Sequence, residues 1–191
     1  LSDGGDFFNL FRYITFRAGG AFFTALIFGF VFGRPLINVL RRKQGKGQPI
    51  RDDGPEAHSA KSGTPTMGGL LILSALVFST VMWARLDNNY VIIVLFVTIC
   101  FGGIGFIDDY LKVSRQNPKG VSSKIRLLSG FFVAAVAAYF ISSIHPEALQ
   151  NRLALPIFKN LLIDLGFLFV PFAIIVIVGS ANAVNLTDGL D

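Results

Sequence analysis

A helix needs about 20 consecutive apolar residues to cross the hydrocarbon core of a bilayer. Five segments of this chain reach that length, at roughly 18–40, 66–84, 90–107, 125–144 and 161–180. Lipid offers no hydrogen bonds to exposed peptide groups, so such runs are confined to helices or closed barrels. The strand-like alternation that a barrel needs is absent from the five runs. The expected fold is therefore all-α: a polytopic membrane helix bundle with five transmembrane helices. They form a single membrane domain over 1–191, with cytoplasmic loops at about 41–65 and 108–124. Composition agrees, since only 15% of the 191 residues are charged, against about 25% in soluble domains. The lone Cys100 lies inside an apolar run, which excludes a disulfide framework and makes it a packing residue. The chain starts at Leu1 and stops at Asp191 inside a motif, and it reads as a fragment. No signal-peptide pattern precedes the first run, so that run is expected to be a true span.

Loop charge sets the orientation. Arg41, Arg42, Lys43, Lys46, Arg51 and Lys61 lie between spans one and two, and Lys112, Arg115, Lys119, Lys124 and Arg126 between spans three and four. The opposite side holds Arg12, Arg17, Arg85, Arg152 and Lys159. The positive-inside rule places the first set in the cytoplasm, with the N-terminus outside and Asp191 inside. Basic loops of this kind attract anionic lipid headgroups. Nucleic acid is not an expected partner, because no soluble domain presents the basic residues. The segment Arg41–Pro65, rich in Gly and Pro, reads as an irregular functional loop. Its Gly-Lys-Gly at 45–47 lacks the spacing of a phosphate-binding P-loop.

Two acidic clusters then fall on the same face. Carboxylates at the ends of membrane spans are costly and mark a functional site by default. Asp108 and Asp109 follow span three, where the helix dipole disfavours them. Adjacent carboxylates suit magnesium, which keeps its waters and takes one or two carboxylates plus phosphate oxygens. The plainer alternative is an acidic juncture that ends the span. Lys112 and Lys124 on the same loop serve either as positive-inside charge or as partners of phosphates or of the Asp pair. Asn182, Asn185, Asp188 and Asp191 are spaced by three and would share one helical face. That stripe suits a ribose, a uracil or a hydrated metal, and Gly189 would let a ligand approach the backbone. Its alternative is an N-cap, Thr187 or Asp188, opening a further helix. Thr64 or Thr66 could cap span two, while Gly68, Gly69, Gly102, Gly103 and Gly105 read as packing positions. Lys61 has no evident structural task and could meet a phosphate. Trp83 and Tyr90 read as interfacial anchors. His58 and His145 fall on opposite sides and build no metal site.

Four stretches carry a resemblance: Arg51-Asp-Asp-Gly-Pro-Glu-Ala-His58, Lys61 to Gly69, Gly105-Phe-Ile-Asp108-Asp109-Tyr-Leu-Lys112 and Asn182-Ala-Val-Asn185-Leu-Thr-Asp-Gly-Leu-Asp191. Together they resemble the phospho-N-acetylmuramoyl-pentapeptide translocases, a family of the polyprenyl-phosphate N-acetylhexosamine-1-phosphate transferase superfamily. The Asp pair and the terminal Asp-Gly-x-Asp are shared across the superfamily, whereas the Gly-Pro-Glu loop and the Thr-Pro-Thr-Met-Gly-Gly segment look specific to the peptidoglycan branch. The resemblance implies a ten-span protein of the bacterial inner membrane, with its active site facing the cytoplasm. It implies transfer of phospho-MurNAc-pentapeptide from UDP-MurNAc-pentapeptide to undecaprenyl phosphate, giving lipid I and UMP, with Mg2+ as cofactor. The implied partners are those two substrates, the lipid bilayer and a second copy in a homodimer.

By the same resemblance, Asp108 and Asp109 match the catalytic pair and candidate metal ligands. Lys61, Thr66, Asn185, Asp188 and Asp191 match positions lining the nucleotide and metal site, with Gly189 and Leu190 in the same substrate-binding stretch. Lys112 and Lys124 match basic residues near that cleft. The family's third catalytic Asp and its His-rich loop lie beyond Asp191, so this chain by itself is expected to be inactive. The family's usual proposal makes Asp108 a base toward the lipid phosphate. A phosphate monoester has a second pKa of about 6, and an ordinary Asp, at about 3.9, is a weak base. Asp108 could instead organise metal or lysines, or an Asp could act as nucleophile. Three rival readings are a GlcNAc-1-phosphate transferase to the same lipid, half of a secondary transporter and a structural scaffold. Carboxylates at span ends rather than at mid-membrane weigh against the transporter, and the Asn182-to-Asp191 stripe weighs against the scaffold.

Overall fold

The computed structural model describes residues 9–45, 66–116, 120–155, 157–158 and 161–188, with 185–188 described by backbone alone. Among the described residues there are five α-helices: α1 (Ile14–Gln44), α2 (Gly69–Trp83), α3 (Asn89–Arg115), α4 (Ser123–Ile144) and α5 (Phe169–Asp188). Between α4 and α5 lie two short strands, β1 (Arg152–Ala154) and β2 (Leu162–Asp164). Four of the helices are long and apolar enough to cross a membrane: α1, α3, α4 and the segment Gly166–Val184 that contains α5. The protein is a multi-pass membrane protein. Helix α2 is apolar but only 15 residues long, about 22 Å at 1.5 Å per residue, so span two is shorter than expected.

The helix ends follow local chemistry. At the start of α3 the Asn88 side chain accepts the Tyr90 N–H at 2.9 Å, and at the start of α4 Ser122 accepts the Ile125 N–H at 3.4 Å. Each satisfies one donor that the first turn leaves open. Helix α1 ends at Gly45, whose φ of +53° suits a residue without Cβ. Arg41, Arg42 and Lys43 in its last turn complement the helix dipole. Helix α3 closes on Gln116, also left-handed, with Lys112 and Arg115 in its last turn.

The chain forms two compact units. One comprises Leu1–Val91 and Gly102–Val121, the other Ile92–Phe101 and Ser122–Asp191. In the first, α1 and α2 lie side by side. A Cβ on Gly20 would fall 2.6 Å from the Trp83 ring, so glycine is what lets that ring approach. The Trp83 Nε1–H donates to Thr24 Oγ1 at 2.9 Å, and Phe11 stacks on the same ring. Trp83 is thus a packing residue whose polar atom is satisfied within the protein. Gly102 admits Leu73 in the same way, whereas Gly68, Gly69, Gly103 and Gly105 have nothing within 4 Å of a notional Cβ among the described residues. Among the described residues, close packing against a glycine of this set is seen at Gly102.

In the second unit α4 packs on α5 through small residues. Ala134, Ala137 and Ala138 are at most 1% exposed, and Val133 and Val178 are buried with them. Large apolar side chains point outward instead, including Leu128, Phe132 and Ile175. Outward bulk and inward alanine suit helices that pack by close backbone approach in lipid. The hairpin pairs Arg152 with Asp164, Leu153 with Ile163 and Ala154 with Leu162, antiparallel. Span five was expected to begin at 161, but residues 162–164 are strand and the helix starts at Phe169. Pro171 sits in the first turn of α5, where a missing N–H costs nothing.

Candidate functional site

The expected span three ends near residue 107, but α3 continues through Arg115. Asp108, Asp109 and Lys112 are therefore helical and not part of a loop. Two carboxylates near a helix C-terminus oppose its dipole. Lys112, three and four residues on, lies where it can offset them. Its Nζ is 2.6 Å from Asp108 Oδ2 and 3.7 Å from Asp109 Oδ1.

The two carboxylates have different surroundings. Asp108 is buried, at 6% exposure. Its Oδ1 accepts the Val121 N–H at 2.8 Å, and its Oδ2 takes the lysine. Gly120 makes this approach possible: its φ is +57°, and a Cβ there would collide with Asp108 Oδ1. Both oxygens of Asp108 are thus held by protein donors. Asp109 is more open, with a third of its side chain exposed. Its Oδ2 accepts the Thr66 hydroxyl at a long 3.4 Å.

Thr66 does not cap α2, whose N-cap, Gly68, carries no side-chain cap bond. Its backbone is instead fixed by Gln44, the last residue of α1. The Gln44 Nε2–H donates to Thr66 O at 3.0 Å, and Thr66 N–H donates to Gln44 Oε1 at 2.9 Å. Within the first unit, then, the end of α1, the approach to α2, the C-terminal end of α3 and the 120–121 turn converge on one acidic pair.

Two carboxylates against one ammonium leave the cluster net negative, which favours a cation. No group of three or more His, Cys, Asp or Glu side chains occurs among the described residues. A metal here would draw at most two carboxylates from them, with water or phosphate completing the shell. Magnesium binds in that manner, whereas protein zinc sites draw three or four protein ligands, mostly His and Cys. Asp109, with its exposed face, is the better placed donor. The residues present fit such an ion as a partial donor set.

The remaining expected residues belong to the second unit or fall outside the described residues. Lys124 is exposed in the first turn of α4, in the second unit. Asn185 and Asp188 fall on α5, which runs through Asp188. Thr187 and Asp188 are thus themselves helical. Asn182, at the head of the stripe, donates to its own helix at Val178 O, 2.8 Å away. Lys61, Gly189, Leu190 and Asp191, with Thr64 and His58, lie outside the described residues. Sequence reasoning passed over Gln44 and Gly120. A lone uncharged amide closing the basic run Arg41-Arg-Lys43 was the available signal for the first, and a glycine twelve residues after Asp108 for the second.

Comparison with known proteins adds to this geometry. Residues 91–191 match the family model described as glycosyl transferase family 4. Residues 61–73 match signature 1 of phospho-N-acetylmuramoyl-pentapeptide-transferase, so that Lys61 and Thr66 lie within it. The chain is 75% identical over 191 residues to the phospho-N-acetylmuramoyl-pentapeptide-transferase of Ruegeria sp. (strain TM1040) and 73% identical to that of Ruegeria pomeroyi. It is 66% identical over 192 aligned residues to the protein of the same name from Dinoroseobacter shibae. All of this chain is covered in each comparison, but it spans only 53% of each relative's length.

Proposed function

Since the chain belongs to glycosyl transferase family 4, we propose that it forms about half of an enzyme transferring phospho-MurNAc-pentapeptide from UDP-MurNAc-pentapeptide to undecaprenyl phosphate. The products are lipid I and UMP. The observation that carries this reading is the convergence of Thr66, Asp109, Asp108 and Lys112, with Thr66 inside the 61–73 signature. We place the site at the cytoplasmic face of the bacterial inner membrane, where the positive-inside rule puts these residues. A GlcNAc-1-phosphate transferase or a transporter is not favoured, because the signature and the named relatives agree on the muramoyl substrate.

The reaction is phosphoryl transfer at a pyrophosphate. An oxygen of the lipid phosphate attacks the sugar-bearing phosphorus, the bond to the UMP oxygen breaks, and UMP leaves with the electron pair. Catalysis is mainly positioning and charge stabilisation. Both reactants are anionic, so cations must offset their repulsion. Bound magnesium would supply that charge, with Asp109 as its exposed ligand. Lys112, steered by Asp108, adds an ammonium beside the pair, and Lys61 is assigned to a substrate phosphate. Asp108 is a poor general base here. Its oxygens already hold Lys112 and the Val121 N–H, and the lipid phosphate is largely dianionic near neutral pH, with a second pKa of about 6. Its role in this reading is to orient Lys112 and anchor the 120–121 turn.

The test is UMP release by the full-length protein in detergent, omitting the nucleotide-linked donor, undecaprenyl phosphate and magnesium in turn. Release that needs all three supports the proposal. Release from UDP-GlcNAc in place of the muramoyl donor would overturn it.

A further inference from the structure

Gln44 is buried, at 8% exposure, although it is polar and stands at the end of a helix. Its amide makes two hydrogen bonds to the backbone of one residue 22 positions away, donating to Thr66 O and accepting from Thr66 N–H. This is strand-like pairing performed by a side chain. A buried amide bonded through both its nitrogen and its oxygen favours a single register, because any slip leaves that donor and acceptor without partners. The next residue, Met67, holds a φ of +73°. Such a conformation is costly for a residue with a side chain and persists only where its surroundings impose it. The clamp and the turn together set where the Thr66 hydroxyl points, and it points at Asp109 Oδ2, 3.4 Å away. That contact is at the outer limit of a hydrogen bond, so a small drift of the Thr66 backbone would break it.

We infer that Gln44 is a positioning residue of the active site: by clamping the Thr66 peptide it holds the Thr66 hydroxyl against Asp109 and so sets the orientation of the exposed carboxylate. The inference rests on the transferase reading above. Gln44 touches neither carboxylate and acts through Thr66.

The test uses the full-length protein with Gln44→Met, which keeps the side-chain length but makes no amide hydrogen bonds, Thr66→Val, which removes the hydroxyl, and their combination. Each single variant is expected to lower kcat by about fivefold to tenfold, the scale of one lost hydrogen bond. The double variant should be no slower than either single one, because Gln44 has nothing left to position. Hydrogen exchange supplies a second readout that does not need turnover. The Thr66 amide should be protected in the wild type and in Thr66→Val, and should exchange freely in Gln44→Met. Losses that multiply in the double variant would show Gln44 to act by another route, and an unprotected Thr66 amide in the wild type would remove the clamp itself. If Gln44→Met does not fold, Gln44→Glu retains the acceptor for the Thr66 N–H and is expected to keep that amide protected. A wild type that releases no UMP while its Thr66 amide is protected would sink the transferase reading and the catalytic purpose of the clamp, and leave the clamp as architecture.

Discussion

At the scale of single residues, the two neighbouring carboxylates divide their work. Asp108 is enclosed by Lys112 and the Val121 N–H, while Asp109 faces outward. Asp109→Asn is therefore expected to raise the magnesium concentration needed for half-maximal turnover by about tenfold, the scale of one charge-assisted contact. Asp108→Asn should leave that requirement nearly unchanged and lower kcat instead, because Lys112 loses its anchor. Magnesium titrations of both variants would separate the roles, and equal shifts in the requirement would show that they are shared. Gly120→Ala brings a Cβ onto Asp108 Oδ1 and forces alanine to a φ of +57°. We expect at least about a tenfold loss of kcat with the protein still folded, read by UMP release alongside a melting curve. Little of this was legible in the sequence. Asp108 and Asp109 stood out as costly charges, but nothing in a one-dimensional pattern distinguishes an enclosed carboxylate from an open one. Gln44 carries no charge and interrupts no periodicity, so its pairing with Thr66 is visible only in three dimensions.

At the scale of elements, the spans were read from apolar length, and errors arose where charge or brevity hid the backbone. Helix α3 gains two turns beyond its apolar run, where Lys112 partly offsets the Asp pair, so charges that look like a loop remain helical. The hairpin strands have three residues each, too few for alternation to register, and apolar β2 was absorbed into the following span. The approach to α2 is not helical because Met67 turns at positive φ. The α1–α2 contact makes its own prediction. The Trp83 ring that crowds Gly20 is pinned by its bond to Thr24 and cannot swing away cheaply. Gly20→Ala should destabilise by about 1–3 kcal/mol through overpacking. Gly29→Ala, with nothing within 4 Å of its Cβ, should be neutral or slightly stabilising through helix propensity. Thermal unfolding of both in the same detergent compares them directly.

At the scale of the whole molecule, the described residues offer two carboxylates to a cation and no third His, Cys, Asp or Glu beside them. The chain also spans 53% of the length of its relatives. Expressed alone, the 191-residue chain is expected to release no UMP above background, whereas the full-length protein does so. An active isolated chain would mean that Asp108, Asp109 and the residues of this half suffice. The alanine seam of the second unit has a consequence of another kind. Ala134, Ala137 and Ala138 are closed off from solvent, while Phe132, Leu128 and Ile175 look outward. The usual map of tolerance to mutation is therefore inverted along α4 and α5. The bulky residues can drift among one another over generations with little penalty, and the smallest side chains are the ones whose identity natural selection must keep.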